Sequence, residues 1–530
     1  MAEPTKRPLG AQISHMLKDR GVDVIFGIPG VHNQEMYRGI EEAGITHVLA
    51  RHEQGAGFMA DGYARASGKP GVAYVITGPG LCNILTPIGQ AYSDSVPMLV
   101  IASCLDETAA RKGQLHQMKD QQGAAATVAD WSETAQGAGA AYGLIDRAFE
   151  EFAEVVRGRP KVVHVPIRHL EAPADPAPAR PAQMVDRTPP APGIDQITAH
   201  LRTARRPLFI VGGGVPAAAP LMDVLRQTGA AAFCTYAGRG LIAHDYPLSF
   251  GSTLSRASSA DDIAQADLVI AVGTELAQVD LWRADLGHTA PLIRIDRDPT
   301  VLADAQNADV RVTGCAGAVL SALQQATADW TGDSDWQADD ISAARARWRA
   351  EIMAERPGIV PVCDALRAAL PDDTMIYSDM TQFAYTAKEV WDMPQPHHWH
   401  HPSGFGTLGY ATPAAIGGAV ARKGKPTLAI IGDYGFHYTM PELGVAVELG
   451  LPLPIILWDN GKLKEIEDSM VRAQIAPNAV VARNPDFCKL AEAFGARSVA
   501  PSSLADMQTA VKAAFDADGP TLIYVTPDIA

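Results

Sequence analysis

The chain has 530 residues, of which 20% are charged, and its formal net charge at pH 7 is −16. A chain of this length exceeds a single hydrophobic core, so we expect about three or four domains. The acidic balance argues against nucleic acid as a partner, and no apolar run approaches the roughly 20 residues that span a bilayer.

The cysteines and the N-terminus bear on the cellular compartment. Six cysteines lie far apart with no CxxC pair, which is typical of reduced thiols rather than of disulfides or a zinc site. The first residues, MAEPTKRPLGAQ, lack the apolar core of a signal peptide. We therefore expect a cytoplasmic protein.

Short apolar runs alternate with helical patterns along the whole chain. Such runs are typical of parallel strands that are buried on both faces of a sheet. The clearest are GVAYVIT (71–77), PMLVIAS (97–103), RPLFIVGGG (206–214), DLVIAVGT (267–274), PLIRIDRD (291–298), PTLAIIGD (426–433) and PIILWDN (454–460). The pattern predicts an α/β protein of three doubly wound parallel-sheet domains, the middle one Rossmann-like.

Composition places the domain boundaries. Proline and alanine dominate residues 172–193, which predicts a semi-extended linker. A polar acidic stretch at 331–340 marks a second, weaker boundary. We predict a first domain at 1–171, a central domain at 194–335 and a last domain at 336–530.

The first and last domains share a repeated pattern. GKP occurs at 68–70 and at 424–426, each time before an apolar run that ends in a glycine turn. A Val-Pro or Leu-Pro pair then opens the next run, 27 residues after Pro70 and 28 residues after Pro426. Because these features recur in the same order, we expect the two domains to be related.

Asp433 and Asn460 follow two neighbouring strands, at the point where each strand ends. Ligands of parallel sheets bind at this edge, and Asn460 comes 27 residues after Asp433. Carboxylate, amide and carbonyl oxygens suit Mg²⁺, which completes its octahedron with water and phosphate. The competing interpretation is that Asp433 only caps the following helix, but the spacing of Asn460 favours the metal site.

These motifs resemble a known family. GDYGF (432–436) followed by DNG (459–461) resembles the thiamine-diphosphate signature, GDG and later NN. The likeness extends over nearly the whole chain: VIFGIPGVHNQEMY (24–37), RHEQGAGFMADGYARASGKPG (51–71) and ITGPGLCN (76–83) resemble the pyrimidine-binding domain, and GTLGYATPAAIGGA (406–419) resembles the start of the pyrophosphate-binding domain. The chain is thus similar to the thiamine-diphosphate-dependent 2-oxo acid decarboxylase and acetolactate synthase family.

The resemblance implies roles for individual residues. Asp433, Asn460 and the backbone carbonyl of Lys462 hold Mg²⁺ against the diphosphate. Glu53 matches the catalytic glutamate that hydrogen-bonds N1′ of the aminopyrimidine, although taken alone it reads as a solvated residue at a helix start. The other cofactor-binding positions implied are Pro29, Gly30, Asn83, Gly406, Leu408, Tyr434 and Gly435.

Some positions depart from the family's pattern. Val31 stands where pyruvate decarboxylase has a catalytic aspartate, and Ile466 stands where it has a catalytic glutamate. GQLHQMKDQ (113–121) replaces both the paired histidines of pyruvate decarboxylase and the AFQE-type segment of acetolactate synthase. His116 is therefore our candidate for proton transfer at the reacting carbon, with Val31 and Gln117 near the substrate. A loop histidine without a role is the alternative.

The substrate can be narrowed by a finer resemblance. The LHxxxDQ arrangement and residues 461–487 look most like the branch of 5-guanidino-2-oxopentanoate (2-ketoarginine) decarboxylases. Such a cationic substrate needs a carboxylate, and Glu465 and Asp468 are the candidates because guanidinium groups prefer bidentate carboxylates. Solvated helix charges explain the same residues equally well.

Three functional hypotheses follow. The first is non-oxidative decarboxylation of a 2-oxo acid to an aldehyde and CO₂, with thiamine diphosphate and Mg²⁺. The second is acetolactate synthase-type carboligation. The third is a degenerate binding or regulatory subunit, because the altered positions Tyr434 and Asp459 fall within the cofactor signature.

The family also implies an assembly and bears on a second cofactor. Its active site lies between two subunits, so the resemblance implies a homodimer or homotetramer. Residues 251–262 lack the segment associated with FAD in acetolactate synthase, and RPLFIVGGG is not a GxGxxG motif, so we do not expect FAD. The histidine-rich PHHWHH (396–401) lacks a partner cluster, and we expect it at a pocket mouth or on the surface.

Overall fold

The computed structural model describes residues 5–106, 113–154, 158–179 and 191–529. It contains three six-stranded sheets in which every neighbouring pair of strands is parallel. The predicted α/β class with three parallel-sheet domains is confirmed. No helix in the described ranges is both long and apolar enough to cross a bilayer.

The first sheet has the spatial order β2-β1-β3-β4-β6-β5. Its strands are β1 (Val24–Gly27), β2 (Thr46–Leu49), β3 (Gly71–Val75), β4 (Met98–Cys104), β5 (Trp131–Thr134) and β6 (Lys161–Pro166). Its helices are α1 (Leu9–Asp19), α2 (Gln34–Glu42), α3 (Glu53–Ser67), α4 (Pro79–Ser93), α5 (Gln121–Ala126), α6 (Ala138–Glu154) and α7 (Ile167–Glu171). Strands β3 and β4 are buried throughout, as their continuous apolar runs predicted, and β6 is also fully buried.

The middle sheet has the order β9-β8-β7-β10-β11-β12, which is the strand order of a Rossmann fold. Its strands are β7 (Pro207–Val211), β8 (Ala231–Cys234), β9 (Ser249–Gly251), β10 (Leu268–Val272), β11 (Leu292–Asp296) and β12 (Val310–Thr313). Its helices are α8 (Ile194–Thr203), α9 (Leu221–Thr228), α10 (Ser259–Ile263), α11 (Gln278–Leu281), α12 (Pro299–Leu302) and α13 (Ala316–Ala326).

The third sheet has the order β14-β13-β15-β16-β18-β17. Its strands are β13 (Met375–Ser378), β14 (Trp399–His400), β15 (Thr427–Gly432), β16 (Pro454–Trp458), β17 (Arg497–Val499) and β18 (Thr521–Val525). The helices after the middle sheet are α14 (Ala338–Glu355), α15 (Ile359–Ala369), α16 (Gln382–Val390), α17 (Ala411–Ala421), α18 (Asp433–Thr439), α19 (Leu443–Glu448), α20 (Lys464–Arg472), α21 (Phe487–Ala493) and α22 (Leu504–Phe515). Counted in chain order, its strands are arranged as in the first sheet, so the predicted relationship between the two domains is confirmed.

The first and third domains share one hydrophobic core. Helices α3 and α17 cross at glycines: a Cβ on Gly62 would lie 1.9 Å from the carbonyl oxygen of Ala414, and a Cβ on Gly417 would lie 1.9 Å from that of Met59. Only glycine permits backbones to approach this closely. The sites carried by the two sheets are therefore fixed relative to each other.

The structure contains contacts that cross two of the predicted domain boundaries. In the predicted linker, Pro173–Ala174 pairs antiparallel with Arg7–Pro8, while residues 180–190 lie outside the described part of the chain. Helix α14, placed in the last domain by the predicted limits, packs through Trp348 on Phe233 of the middle sheet. The domain limits remain predictions.

The histidine-rich stretch differs from expectation. His400 and His401 are only 7% and 6% exposed, because strand β14 carries this segment along the edge of the third sheet. Burial lowers the pKa of both imidazoles well below its usual range. These two residues are therefore neutral parts of the core and do not lie on the surface.

Candidate active site

The carboxyl ends of β15 and β16 carry a pair of acidic side chains. Asp433 begins α18 directly after β15 and is 3% exposed, and Asp459 follows β16 at 8% exposure. Both carboxylates accept hydrogen bonds from Nδ2 of Asn484, at 2.8 and 2.9 Å. Burial, with Asp459 close by, raises the pKa of Asp433 to about 6. Asp459 also accepts from the backbone N–H of Gly461 at 2.8 Å and from the hydroxyl of Tyr524 at 2.9 Å. Because these donors are neutral, the two buried carboxylates form a site of unbalanced negative charge.

The donor set at this edge fits Mg²⁺. Asn460 lies beside Asp459, with its amide oxygen 3.3 Å from the backbone nitrogen of Lys462. Carboxylate and amide oxygens are the hard ligands that Mg²⁺ prefers, and a divalent cation would balance the acidic pair. In the described ranges no group of three or more His, Cys, Asp or Glu side chains has metal-ligating geometry. The predicted Mg²⁺ ligands do not form such a group, because only Asp433 among them is a carboxylate.

Tyr434 occupies an unstrained position. It is the second residue of α18, it is absent from the residues with positive φ, and its backbone N–H donates to the Asp433 carboxylate. The next residue, Gly435, lies so close to Asp379 that a Cβ there would be 3.0 Å from the Asp379 carboxyl carbon. The tight contact in this turn is therefore at Gly435 and not at Tyr434.

A loop before α17 carries Gly406 and Leu408. Gly406 and Gly409 have φ of +70° and +84°, which favours glycine at both positions. Buried Asp379, at the end of β13, accepts hydrogen bonds from the N–H groups of Gly409 and Ala411 at 3.2 and 3.1 Å. Asp379 thus holds the loop in place, and we did not predict it from the sequence.

The first domain presents Glu53 at the start of α3. Glu53 is 8% exposed, and its Oε2 accepts a hydrogen bond of 2.9 Å from Nδ2 of Asn83. A Cβ on Gly80 would lie 3.3 Å from the other carboxyl oxygen. A largely buried carboxyl with an amide partner can exchange a proton with a flat nitrogen heterocycle. The burial agrees with the predicted role and not with a solvated residue.

Gly30 and Pro29 precede α2 in the same region. The N–H of Gly30 donates to Oδ1 of buried Asn33 at 2.7 Å, and a Cβ on Gly30 would lie 2.2 Å from Cδ1 of Ile76. The same Ile76 lies against Gly80, where a Cβ would be 2.8 Å from its Cγ2. Glycine backbone and Ile76 therefore form a continuous wall that leads to Glu53.

The loop that carries His116 lies against this wall. The carbonyl oxygen of His116 lies 2.3 Å from where a Cβ on Gly78 would be, and His116 itself has φ of +63°. Its ring meets that of His32 edge to face at 4.9 Å, and the buried Nδ1 atom of each ring has no hydrogen-bond partner in the described part of the chain. Burial and the neighbouring His116 lower the pKa of His32. His32 is a partly buried neighbour of His116 that we did not predict.

The other substrate candidates have different surroundings. Val31 is 61% exposed beside His32. The side-chain oxygen of Gln117 accepts a hydrogen bond from the N–H of Gly113 at 2.9 Å and so closes its own turn. Ile466 on α20 is 48% exposed.

Helix α20 gathers the two acidic substrate candidates. Nε2 of Gln382 donates to Glu465 at 3.1 Å and to Asp468 at 3.2 Å. Arg356 lies 3.5 Å from Glu465, and Lys464 pairs with Asp468. The carboxylates therefore converge on one amide, yet each already has a cationic neighbour.

The middle domain closes its own crevice at the switch point between β7 and β10. The N–H of Gly212 donates to the carbonyl of Val272 at 3.0 Å, and the N–H of Gly214 donates to that of Gly273 at 2.9 Å. Nucleotides bind Rossmann folds at this point through backbone N–H groups. Here those groups already have partners within the chain.

Sequence comparison agrees with this arrangement. The chain matches the thiamine pyrophosphate enzyme N-terminal TPP binding domain over residues 7–124, the central domain over 194–323 and the C-terminal TPP binding domain over 379–525. The chain belongs to the thiamine pyrophosphate enzyme family and depends on thiamine diphosphate.

Three individual members of the family show how similar the chain is to decarboxylases and to acetolactate synthases. The chain is 42% identical to the probable 2-ketoarginine decarboxylase AruI of Pseudomonas aeruginosa, over 97% of this chain and 93% of that protein. It is 30% identical to the acetolactate synthase isozyme 2 large subunit of Escherichia coli, over 98% of this chain and 95% of that protein. It is also 28% identical to the mitochondrial acetolactate synthase catalytic subunit of Saccharomyces cerevisiae, over 98% and 80%.

Proposed function

We propose that this chain catalyses the non-oxidative decarboxylation of a 2-oxo acid, 5-guanidino-2-oxopentanoate, to the aldehyde and CO₂. The reaction requires thiamine diphosphate and Mg²⁺. The observation that carries the proposal is that the chain contains both a buried Glu53–Asn83 hydrogen bond in the first domain and a buried acidic pair, Asp433 and Asp459, in the third. The 42% identity to a probable 2-ketoarginine decarboxylase supports the choice of substrate.

Two clusters, one around Glu53 and Asn83 and the other around Asp433 and Asp459, would hold the cofactor. Asp433, Asn460 and the carbonyl of Lys462 would bind Mg²⁺ and through it the diphosphate, while Gly406 and Leu408 lie on the loop that would meet the aminopyrimidine. Thiamine diphosphate, when bound, supplies the carbon nucleophile and accepts the electron pair that CO₂ leaves behind. Glu53 would hold and move a proton at N1′ of the aminopyrimidine.

A proton must then reach the carbon that lost CO₂, so that it leaves as an aldehyde. His116 is the proposed donor because its backbone packs against Gly78, two residues before the Gly80 that lies beside Glu53. His32 packs edge to face against the His116 ring at 4.9 Å and so helps to orient it.

The guanidinium end of the substrate would bind Glu465 and Asp468. Arg356 now stands beside Glu465 at 3.5 Å, so a guanidinium group is already accommodated there. Charge-assisted bonds of this kind contribute about 1.5–3 kcal/mol, which corresponds to about tenfold to hundredfold in binding. Glu465→Gln should therefore raise KM for 5-guanidino-2-oxopentanoate and leave KM for pyruvate unchanged.

Glu467→Gln is the matched control. Glu467 lies on the same helix but pairs with the side chains of Lys462 and Lys464 instead of Gln382, so its loss should not change the ratio of the two KM values. Equal effects of the two variants on both substrates would contradict the assignment of Glu465.

Acetolactate synthase-type carboligation is the second candidate, and the 30% identity to a subunit of such an enzyme favours it. A degenerate subunit is the third, but the unstrained turn at Tyr434 removes part of its motivation. Calorimetric titration with thiamine diphosphate and millimolar Mg²⁺ distinguishes the degenerate subunit from both enzymes, because a degenerate subunit would bind neither the cofactor nor the metal.

We further propose a homodimer or homotetramer in the cytoplasm, without FAD. Among the described residues no hydrogen bond or ion pair joins Glu53 or Asn83 to Asp433 or Asn460 within one chain, which suits a site between two subunits. Apolar side chains near both clusters are also exposed, among them Val31, Leu115 and Tyr438 at 57% or more. The internally bonded glycines of the middle domain support the absence of FAD.

A further inference from the structure

A buried carboxylate outside both clusters lies directly beside the catalytic glutamate. Glu442 ends the short 3₁₀ helix Met440–Glu442 in the third domain and is 0% exposed. Its carboxylate accepts hydrogen bonds from the backbone N–H of Arg51, at 3.2 and 3.1 Å, and from that of His52, at 2.9 Å. Both donors belong to the first domain, immediately before Glu53.

Burying this carboxylate is energetically unfavourable. Burial raises the pKa of Glu442 to about 7, although the two backbone donors act in the opposite direction. The Arg51 side chain is directed elsewhere, to the Leu49 carbonyl and to Glu448. In the described part of the chain the carboxylate thus relies on backbone donors, and an apolar residue would fill this position at less cost.

The first turn of α3 is shaped around this carboxylate. A Cβ on Gly55 would lie 2.2 Å from Oε1 of Glu442 and 2.7 Å from its Cγ, so any side chain at this position would displace the Glu442 carboxylate. Nδ1 of His52 accepts from the N–H of Gln54 at 3.1 Å and caps the same turn. Residues 51–55 therefore enclose the Glu442 carboxylate, and Glu53 projects from the middle of this segment.

We propose that Glu442 is a positioning residue for Glu53: its carboxylate oxygens hold the backbone of Arg51 and His52 and thereby fix the direction in which Glu53 meets the cofactor. The role of Glu53 rests on the proposed function. The hold itself is a property of the folded chain, and it can be measured without cofactor or substrate.

Hydrogen–deuterium exchange of the cofactor-free protein measures the hold directly. Losing hydrogen bonds to a charged acceptor costs about 1.5–3 kcal/mol, so Glu442→Ala should speed exchange of the amides at 51–54 by about tenfold or more. Glu442→Gln keeps one acceptor oxygen, but a neutral one, so exchange at 51–54 should be clearly slower than in Glu442→Ala and lie between that variant and the wild type. Glu448→Gln is the matched control, since it touches only the Arg51 side chain.

Turnover of the loaded enzyme is the second readout. Glu442→Ala should lower kcat by about tenfold, following the same lost bonds, with KM for the 2-oxo acid unchanged, and Glu442→Gln should restore kcat in part. In the wild-type background, Gly55→Ala should lower kcat as Glu442→Ala does, because the new methyl group clashes with the Glu442 carboxylate. In the Glu442→Ala background that carboxylate is gone, so adding Gly55→Ala should have little further effect.

The outcomes are decisive in both directions. Fast exchange confined to 51–54, with kcat restored in part by glutamine, supports the proposal. Wild-type exchange in Glu442→Ala, or exchange that rises equally across all three sheets, overturns it. If the wild type decarboxylates no 2-oxo acid, the proposed function fails, while the exchange measurement still decides whether Glu442 holds this turn.

Discussion

Replacing Glu442 by glutamine should make the stability of the protein less dependent on pH. The Glu442 carboxyl is fully buried, and burial raises its pKa from the ordinary 4.5 to about 7. Between these two values the folded state binds more protons than the unfolded chain. The free energy of unfolding therefore falls as the pH rises through this window, and the loss is complete above the folded-state pKa.

The size of the effect follows from the shift. A raised pKa of this extent corresponds to about 3 kcal/mol of lost stability once the group is ionised. Because glutamine carries no charge, the advantage of Glu442→Gln over the wild type should grow by about 2 kcal/mol between about pH 5.5 and about pH 8.5.

Urea unfolding of the cofactor-free protein at both pH values tests this prediction, since bound cofactor would stabilise the folded state by mass action. Comparing variant with wild type at each pH cancels the titration of the other groups. Glu448→Gln serves as a control, because that side chain is 59% exposed and should give a pH-independent difference. A pH-independent difference for Glu442→Gln would refute the reasoning.

Three further substitutions test the fold and the two clusters. Glu53→Gln should abolish turnover and leave the circular dichroism spectrum and melting temperature unchanged; retained turnover would exclude its role. Asp433→Asn should weaken Mg²⁺-dependent binding of thiamine diphosphate by at least about tenfold in calorimetry, and undiminished binding would place the metal elsewhere. Gly62→Ala should cost about 1–3 kcal/mol or more, since its Cβ would lie 1.9 Å from the Ala414 carbonyl oxygen, whereas Gly143→Ala, with open space around its Cβ, should not lower the melting temperature.

Strand-end reasoning anticipates part of the site. Asp433 and Asn460 follow adjacent strands β15 and β16, and the carboxyl ends of parallel strands meet at one edge. Asp459 departs from the family pattern, yet it forms the second half of the acidic pair. Asn484, which joins the two carboxylates, lies in a long segment after α20 that carries no periodic signal, and the sequence alone could not place it.

His32 in the first domain and Glu442 in the third were missed for the same reason. His32 and Glu442 act through contacts between segments that are far apart in the chain, His32 with His116 and Glu442 with Arg51. Local patterns carry no information about such pairs. Glu442 also looks like an ordinary charged residue at a helix start, and only its burial sets it apart.

Tyr434 illustrates how backbone geometry resolves a question that composition leaves open. A bulky residue in a glycine position suggests either strain or a weakened cofactor site. Because α18 begins at Asp433, Tyr434 adopts ordinary helical backbone geometry and donates its N–H to the Asp433 carboxylate. The close approach, which leaves little room for a side chain, occurs one residue later, at Gly435 beside Asp379.

Product analysis of the loaded enzyme tests the central proposal most directly. The protein, reconstituted with thiamine diphosphate and Mg²⁺, is incubated separately with 5-guanidino-2-oxopentanoate and with pyruvate, and CO₂ release and products are followed by NMR. We predict one aldehyde per CO₂ from the guanidino acid and much slower turnover of pyruvate. Formation of acetolactate from pyruvate as the main reaction would contradict the decarboxylase assignment.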